Sequence, residues 1–365
     1  MKPLLLEIRR NPMLWLLAVV PVLFVVHRSM PDAHTLHFVL SILAIVPLAA
    51  LLSLATESVA DKTGDTIGGL LNATLGNLTE LLIALAALRA GQYLLVKASI
   101  AGAIVTNTLF MLGASLLLGG LKHHVQEYNR DGARLQAGLL FLATIALLVP
   151  SILVEVDRPA KTEFIQALSL GLSIVLIAMY GLGLVFSLGT HRKLFSSATE
   201  HGAHGETSWP MSLAFITLAS VTVLVAFVSD IFVASIEHAA KVFGMGAAFV
   251  GFIVVALVGG AAELVSVLSA ARKNRLDLSV GIALGSASQI ALFVAPVLVL
   301  LSYVIGPAPM NLQFWPGAVA MMLIAALTAA FVTNGGRSTW FIGIFVIVVY
   351  LIFAMTLYLL PPTAA

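Results

Sequence analysis

Apolar residues run for about twenty positions at a time, over and over, along this 365-residue chain. Eleven such segments fall at roughly 11–27, 35–56, 66–88, 96–120, 134–154, 163–188, 210–236, 246–271, 277–305, 313–333 and 339–360. A helix rises 1.5 Å per residue, so about 20 apolar residues cross the ~30 Å hydrocarbon core of a bilayer. The runs are continuous rather than alternating, which favours helices over the strands of a barrel. Only 10% of residues are charged, against about 25% in soluble domains. The expected fold class is an all-α polytopic membrane protein with about 11 transmembrane helices, whose partner is the lipid bilayer.

Charge in the loops sets an expected orientation. With the N-terminus cytoplasmic, thirteen of the nineteen lysines and arginines fall on the cytoplasmic side, as the positive-inside rule prefers. The first apolar run ends at His27, Arg28 and Ser29 with no small-residue cleavage site, so it reads as a retained span. The chain divides into an N-terminal helix (1–30), a first repeat (31–188), a connecting polar loop (189–209) and a second repeat (210–365). A prokaryotic plasma membrane is the expected location. Cysteine is absent, which excludes disulfides, thiolate metal sites and cysteine catalysis. No basic block with interleaved aromatics appears, so nucleic acid is not an expected partner. H-E-x-x-H and G-x-S-x-G are both missing, and the chain does not read as an enzyme.

Two of the apolar runs carry a carboxylate near their middle. "GNLTELLIALAAL" (76–88) aligns with "GGAAELVSVLSAA" (259–271), which sets Glu80 opposite Glu263. The same register sets Gly102 opposite Gly285 and "GAIVTNTLF" (102–110) opposite "GSASQIALF" (285–293). Each copy holds five spans, and an odd number turns the second copy upside down. Such inverted repeats are characteristic of secondary transporters, with the ion site near the midplane where the repeats meet. The expected plan is one N-terminal helix plus two inverted five-helix repeats.

A charge at the bilayer centre costs at least ~2.5–3.5 kcal/mol on insertion scales. No lysine or arginine falls in the interior of the expected spans to pair with these acids; Lys97 and Arg134 stand at span ends. Each acid must be protonated, hydrated or bound to a cation from solution. A carboxyl stripped of water holds its proton more tightly, and a bound cation displaces that proton. Two acids without a fixed counter-charge therefore suit the exchange of a divalent cation for protons. Helical spacing places further oxygen donors beside them: Asn72, Asn77 and Thr79 near Glu80, then Ser99, Thr106 and Asn107 in the next span. Ser266 follows Glu263, and Ser286, Ser288 and Gln289 occupy the partner span. Carboxylate, amide, hydroxyl and carbonyl oxygens are the ligands calcium takes. The candidate metal ligands are Glu80, Glu263, Asn77, Asn107, Gln289 and Ser286, with Glu80 and Glu263 also exchanging protons. Helix–helix hydrogen bonding competes with ligation for the three amides. Back-bonding to the helix competes for Ser99, Ser286 and Ser288. Glu57, Asp61 and Asp65, at spacing four, form a possible cation vestibule, with Glu237 at a comparable place in the second half.

At these residues the chain resembles the calcium/proton exchanger family (CAX type) of the cation/calcium exchanger superfamily. "ATESVADKTGDTIGGLLNATLGNLTELLIAL" (55–85) is similar to its first repeat, and "VGGAAELVSVLSAARKNRLDLSVGIALGSASQIALFVAPVLVL" (258–300) to its second. The resemblance implies an antiporter that exchanges calcium for protons, with Glu80 and Glu263 as the central acids and Asn107 and Gln289 in support. It implies no cofactor beyond the transported ions. One departure stands out: the family's second core usually reads GNAAEH, and here it reads "GGAAEL", with Gly260 for Asn and Leu264 for His.

A sodium/calcium exchanger is the alternative. Its relatives favour a proline beside the core acid and another acid in the partner span, and neither occurs here. A cation channel fits less well, because a twofold internal repeat supplies no symmetric pore.

Overall fold

Backbone amides and carbonyls have no water to bond in hydrocarbon, so a chain this apolar closes its hydrogen bonds within helices. The computed structural model describes residues 2–152, 161–191 and 209–360. Among these residues, nine unbroken helices and two bent pairs are long and apolar enough to cross a membrane. In chain order they are α1 (Pro12–Ser29), α2 (His34–Thr63), the bent pair α3 (Ile67–Leu75 with Leu78–Arg89), α4 (Tyr93–His123), α5 (Arg130–Ile152) and α6 (Thr162–Thr190). The second half holds α7 (Met211–Val242), the bent pair α8 (Ala247–Gly259 with Ala261–Arg272), α9 (Leu276–Ser302), α10 (Pro316–Thr333) and α11 (Trp340–Leu359). Counting each pair once gives eleven, and the apolar runs anticipate all of them within a few residues. Most of the connecting loop at 189–209 lies outside the described residues.

The two runs that carry acids are the two that bend, α3 by 40° and α8 by 60°. Gly76–Asn77 and Gly260 interrupt the helices where the sequence expects local unwinding. Further irregularities flank the site. Wide π-helical turns open α4 at Thr106–Met111, α8 at Val250–Val255 and α9 at Ile290–Val294. Turns of this kind are rare and often mark functional sites. Those in α4 and α9 fall at matched positions of the internal repeat.

Ties between loops sort into two faces. On one, Tyr93 Oη donates to the Ala308 carbonyl at 2.6 Å, and the His34 and His238 rings lie 5.1 Å apart. Lys97 Nζ donates to Asn311 Oδ1 at 2.7 Å. That lysine lies inside the first turns of α4. On the other face, strand β1 (Val125–Glu127) pairs antiparallel with β2 (Arg337–Thr339), aligning Val125 with Thr339. Gln126 Nε2 reaches the Ala271 carbonyl and Asn274 Oδ1, and Asn129 N–H donates to Asp277 Oδ1 at 2.6 Å. Each tie joins loops that eleven crossings would put on the same side.

Packing relies on small residues, since hydrocarbon gives helices no hydrophobic reason to associate. The tightest crossing brings α4 onto α8. A Cβ on Gly102 would overlap the Phe252 backbone, and one on Gly251 would lie 2.6 Å from the Ala98 methyl. Gly102→Ala is expected to destabilise the protein by about 1–3 kcal/mol or more, because backbone must yield. Gly171, in α6, meets nothing within 4 Å, so Gly171→Ala should be neutral or stabilising by up to about 1 kcal/mol. Denaturation of the two variants in detergent, measured side by side, checks the contrast.

Candidate functional site

The bends place both acids at the starts of half-helices. Glu80 is the third residue of Leu78–Arg89, and Glu263 the third of Ala261–Arg272. Free amides and the positive end of the helix dipole gather in such a first turn, which suits a carboxylate. The two acids come from opposite halves of the chain yet lie within electrostatic reach of each other. A Cβ on Gly259 would sit 3.0 Å from Glu80 Cγ, so Glu80 packs directly on the bend of α8. Both carboxylates are half-buried, and among the described residues neither forms an ion pair. Glu263 Oε2 is enclosed and accepts no hydrogen bond. Leaving such an oxygen unsatisfied is costly, and a cation or proton relieves that cost. Glu80 faces a narrow cavity bordered by Ser99, Ala103, Val255, Ile290 and Val294.

A chain of donors links three helices around the acids. Asn107 Nδ2 donates to Ser286 Oγ at 2.8 Å, Ser286 Oγ donates to Asn77 Oδ1 at 2.6 Å, and Asn77 Nδ2 donates to Gln289 Oε1 at 2.6 Å. Asn77 stands at the N-cap of its half-helix but makes no capping bond with its side chain. It spends its amide on α9 instead. The carbonyl of Ala73, just ahead of the break, is taken by Tyr180 Oη at 2.7 Å. Asn77, Asn107, Gln289 and Ser286 are thus brought together as a helix-joining network.

Other expected donors stay outside that chain. Ser99 and Ser288 bond back to carbonyls of their own helices, as does Thr74. Asn72 is exposed. Glu57 and Asp61 lie at the exposed end of α2, where Ser53 Oγ donates to Glu57 Oε1 at 3.5 Å. The side chain of Asp65 lies outside the described residues. Glu237 is exposed near the end of α7. None of these joins the chain of donors around Asn77.

Three contributors escape sequence reasoning. Tyr180 and the π-helical turns carry no local signature. Met111 is the third: a Cβ on Gly260 would meet its Cε at 2.6 Å and Asn107 Oδ1 at 3.7 Å. A methionine thus reaches the space that a side chain at 260 would enter. The glycine there was visible in the sequence, but its neighbour was not.

The family pattern described as "Sodium/calcium exchanger protein" matches this chain twice, over residues 33–189 and 213–359. The chain belongs to this exchanger family. Two matches, one per half and each containing one bent acid-bearing helix, follow the internal repeat. Among relatives of this exchanger, the "Ca(2+)/H(+) antiporter" of Aphanothece halophytica is 39% identical over 347 residues, covering 90% of this chain and 93% of its own. The "Ca(2+)/H(+) antiporter ChaA" of Bacillus subtilis is 39% identical over 327 residues, covering 88% and 92%. The solved structure of native YfkE superposes on the exchanger with a TM-score of 0.81 at 36% identity, covering 95% of this chain and all of its own.

Two outcomes test the network. Ser286→Ala removes the residue that bonds both Asn77 and Asn107, and should cost about 1–3 kcal/mol of stability in detergent. Ser288→Ala, which loses only back-bonds, should stay within about 0.5 kcal/mol. At position 260, Gly260→Asn should tighten calcium binding only once room is made. Paired with Met111→Ala it should bind more tightly than Met111→Ala alone, read by isothermal titration. Equal affinities would show that the missing amide is not a ligand.

Proposed function

We propose that this exchanger is a secondary antiporter that moves calcium, or a related divalent cation, against protons. The observation that carries the reading is the pair Glu80 and Glu263, delivered to one place by two broken helices with no basic partner among the described residues to neutralise them. Two carboxylates alone carry a net charge of −2. One calcium ion or two protons bring the site to the same neutrality, so either load crosses hydrocarbon at similar electrostatic cost, whereas an empty site does not. That restriction couples the two fluxes. The names borne by the antiporters of Aphanothece halophytica and Bacillus subtilis support it.

In this reading Glu80 and Glu263 bind the ion and exchange protons. Asn77, Asn107, Gln289 and Ser286 supply neutral oxygens by re-aiming the amides and hydroxyl that now bond one another. Glu57, Asp61 and Asp65 gather cations at one mouth and Glu237 at the other. The exchange uses only calcium and protons, without a cofactor and without covalent chemistry. The two halves are inverted repeats of five spans behind one N-terminal helix, supported by the paired family match and the matched bends. The N-terminus faces the cytoplasm, supported by the loop charges, and the membrane is a prokaryotic plasma membrane.

Proteoliposomes loaded with calcium and given a pH step test the reading. Wild-type protein should exchange, and Glu80→Gln or Glu263→Gln should fall to the rate of empty vesicles while still purifying as folded protein. Near wild-type exchange in both variants would overturn the assigned site. Sodium in place of the proton gradient should drive no flux, and if it does the coupling ion is sodium.

Competition fixes the pH dependence. Protons and calcium seek the same oxygens, so apparent calcium affinity should weaken steadily from pH 8 to pH 6. A flat affinity over that range would mean that the carboxylates do not carry the protons.

A further inference from the structure

A second concave feature lies away from the acids in sequence, between α5 and α6. It is an open groove with room for about 520 Å3, bordered by Asp131, Arg134, Gly138, Leu142, Met179 and Phe186. Its two charges occupy the first turns of α5, next in the chain after the β1 strand. From Arg134 to Leu142 the helix rises about 12 Å, so the groove passes from a charged mouth into an apolar slot. Asp131 and Arg134 stand three residues apart on one helix face, and both are exposed. Neither forms an ion pair among the described residues.

Gly138 opens the slot. It sits inside a helix, where glycine costs roughly 1 kcal/mol against alanine. Yet a Cβ there would meet nothing within 4 Å, so no neighbour among the described residues needs the space. The Leu142 side chain, deeper in the slot, is 43% exposed. In a bilayer, hydrocarbon fills such a slot without any gain over the surrounding lipid. Preference for an occupant has to come from the mouth. There the planar donors of Arg134 match a phosphate, and the Asp131 carboxylate matches an ammonium group at the same level.

We infer that this groove holds one membrane phospholipid with an aminoalkyl phosphate headgroup. The phosphate bonds Arg134, the ammonium pairs with Asp131, and one acyl chain lies over Gly138 toward Leu142 and Met179. A headgroup with phosphate alone satisfies Arg134 but sets its negative charge beside Asp131. A quaternary headgroup lacks the N–H donors that a carboxylate prefers.

Native mass spectrometry of the full-length protein tests this, with phosphatidylethanolamine, phosphatidylglycerol and phosphatidylcholine titrated separately. Phosphatidylethanolamine should bind wild type most tightly, with one molecule per chain. Arg134→Gln should weaken it about tenfold or more, the loss of one charge-assisted hydrogen bond. Asp131→Asn should erase the preference over phosphatidylglycerol. Gly138→Leu should fill the slot and block binding with no loss of thermal stability, since the position is sterically open. Equal binding of all three lipids, or lipid binding indifferent to these variants, would overturn the inference. So would a Gly138→Leu protein whose oligomeric state changes while lipid binding does not, because the groove would then seat a second copy of the chain.

Discussion

Two carboxyl groups inside a bilayer, with no ion-pair partner among the described residues, set the terms for everything packed around them. A charge in that place is tolerated only if something neutralises it in turn. The fold meets the demand by breaking α3 and α8 just ahead of each acid, so that free amides and the positive ends of two half-helices converge there. The break in turn needs glycine at 76 and 260, a tyrosine to take the Ala73 carbonyl, and a neighbouring helix to receive Asn77. The Ala73 carbonyl ahead of the first break thus finds its partner inside the protein rather than in lipid, as non-helical backbone at that depth requires.

The two halves solve the same problem with different side chains. Around Asn77, amides and a hydroxyl bind three helices into one polar cluster. Around Gly260 the corresponding space goes to the thioether end of Met111, soft and apolar. The family relationship lies in the breaks and the acids, which both halves keep. The difference lies in what fills the shell, an amide at Asn77 in one half and the Met111 thioether beside Gly260 in the other.

Much of this was legible in the sequence, for definite reasons. Apolar runs long enough to cross hydrocarbon have few alternatives, so the spans could be counted. An acid in such a run is too costly to be incidental, so Glu80 and Glu263 stood out, and their common register exposed the repeat. What stayed hidden depends on three-dimensional neighbours. Asn107 and Gln289 were open to both ligation and helix–helix bonding, but that Ser286 and Asn77 connect them, in a chain of hydrogen bonds across three distant segments, leaves no local trace. Lys97 stood at the start of its expected span, but the partner that holds it there, Asn311, is more than two hundred residues away and could not be read from the sequence. The bend angles and the π-helical turns follow from helix packing, which periodicity does not encode.

The small sheet at the membrane surface carries a consequence for how the protein is made. Val125 pairs with Thr339, so the strands meet only after more than two hundred intervening residues have been synthesised and six further spans have entered the bilayer. Until then Gln126 and Asn129 can find Ala271 and Asp277 but not the strand that completes the clasp. Closing so long a loop carries an entropic cost. The clasp is therefore a late event in biogenesis. A nascent chain stopped before the residues that follow α10 would leave β1 without its partner on the water-facing side, open to quality-control proteases.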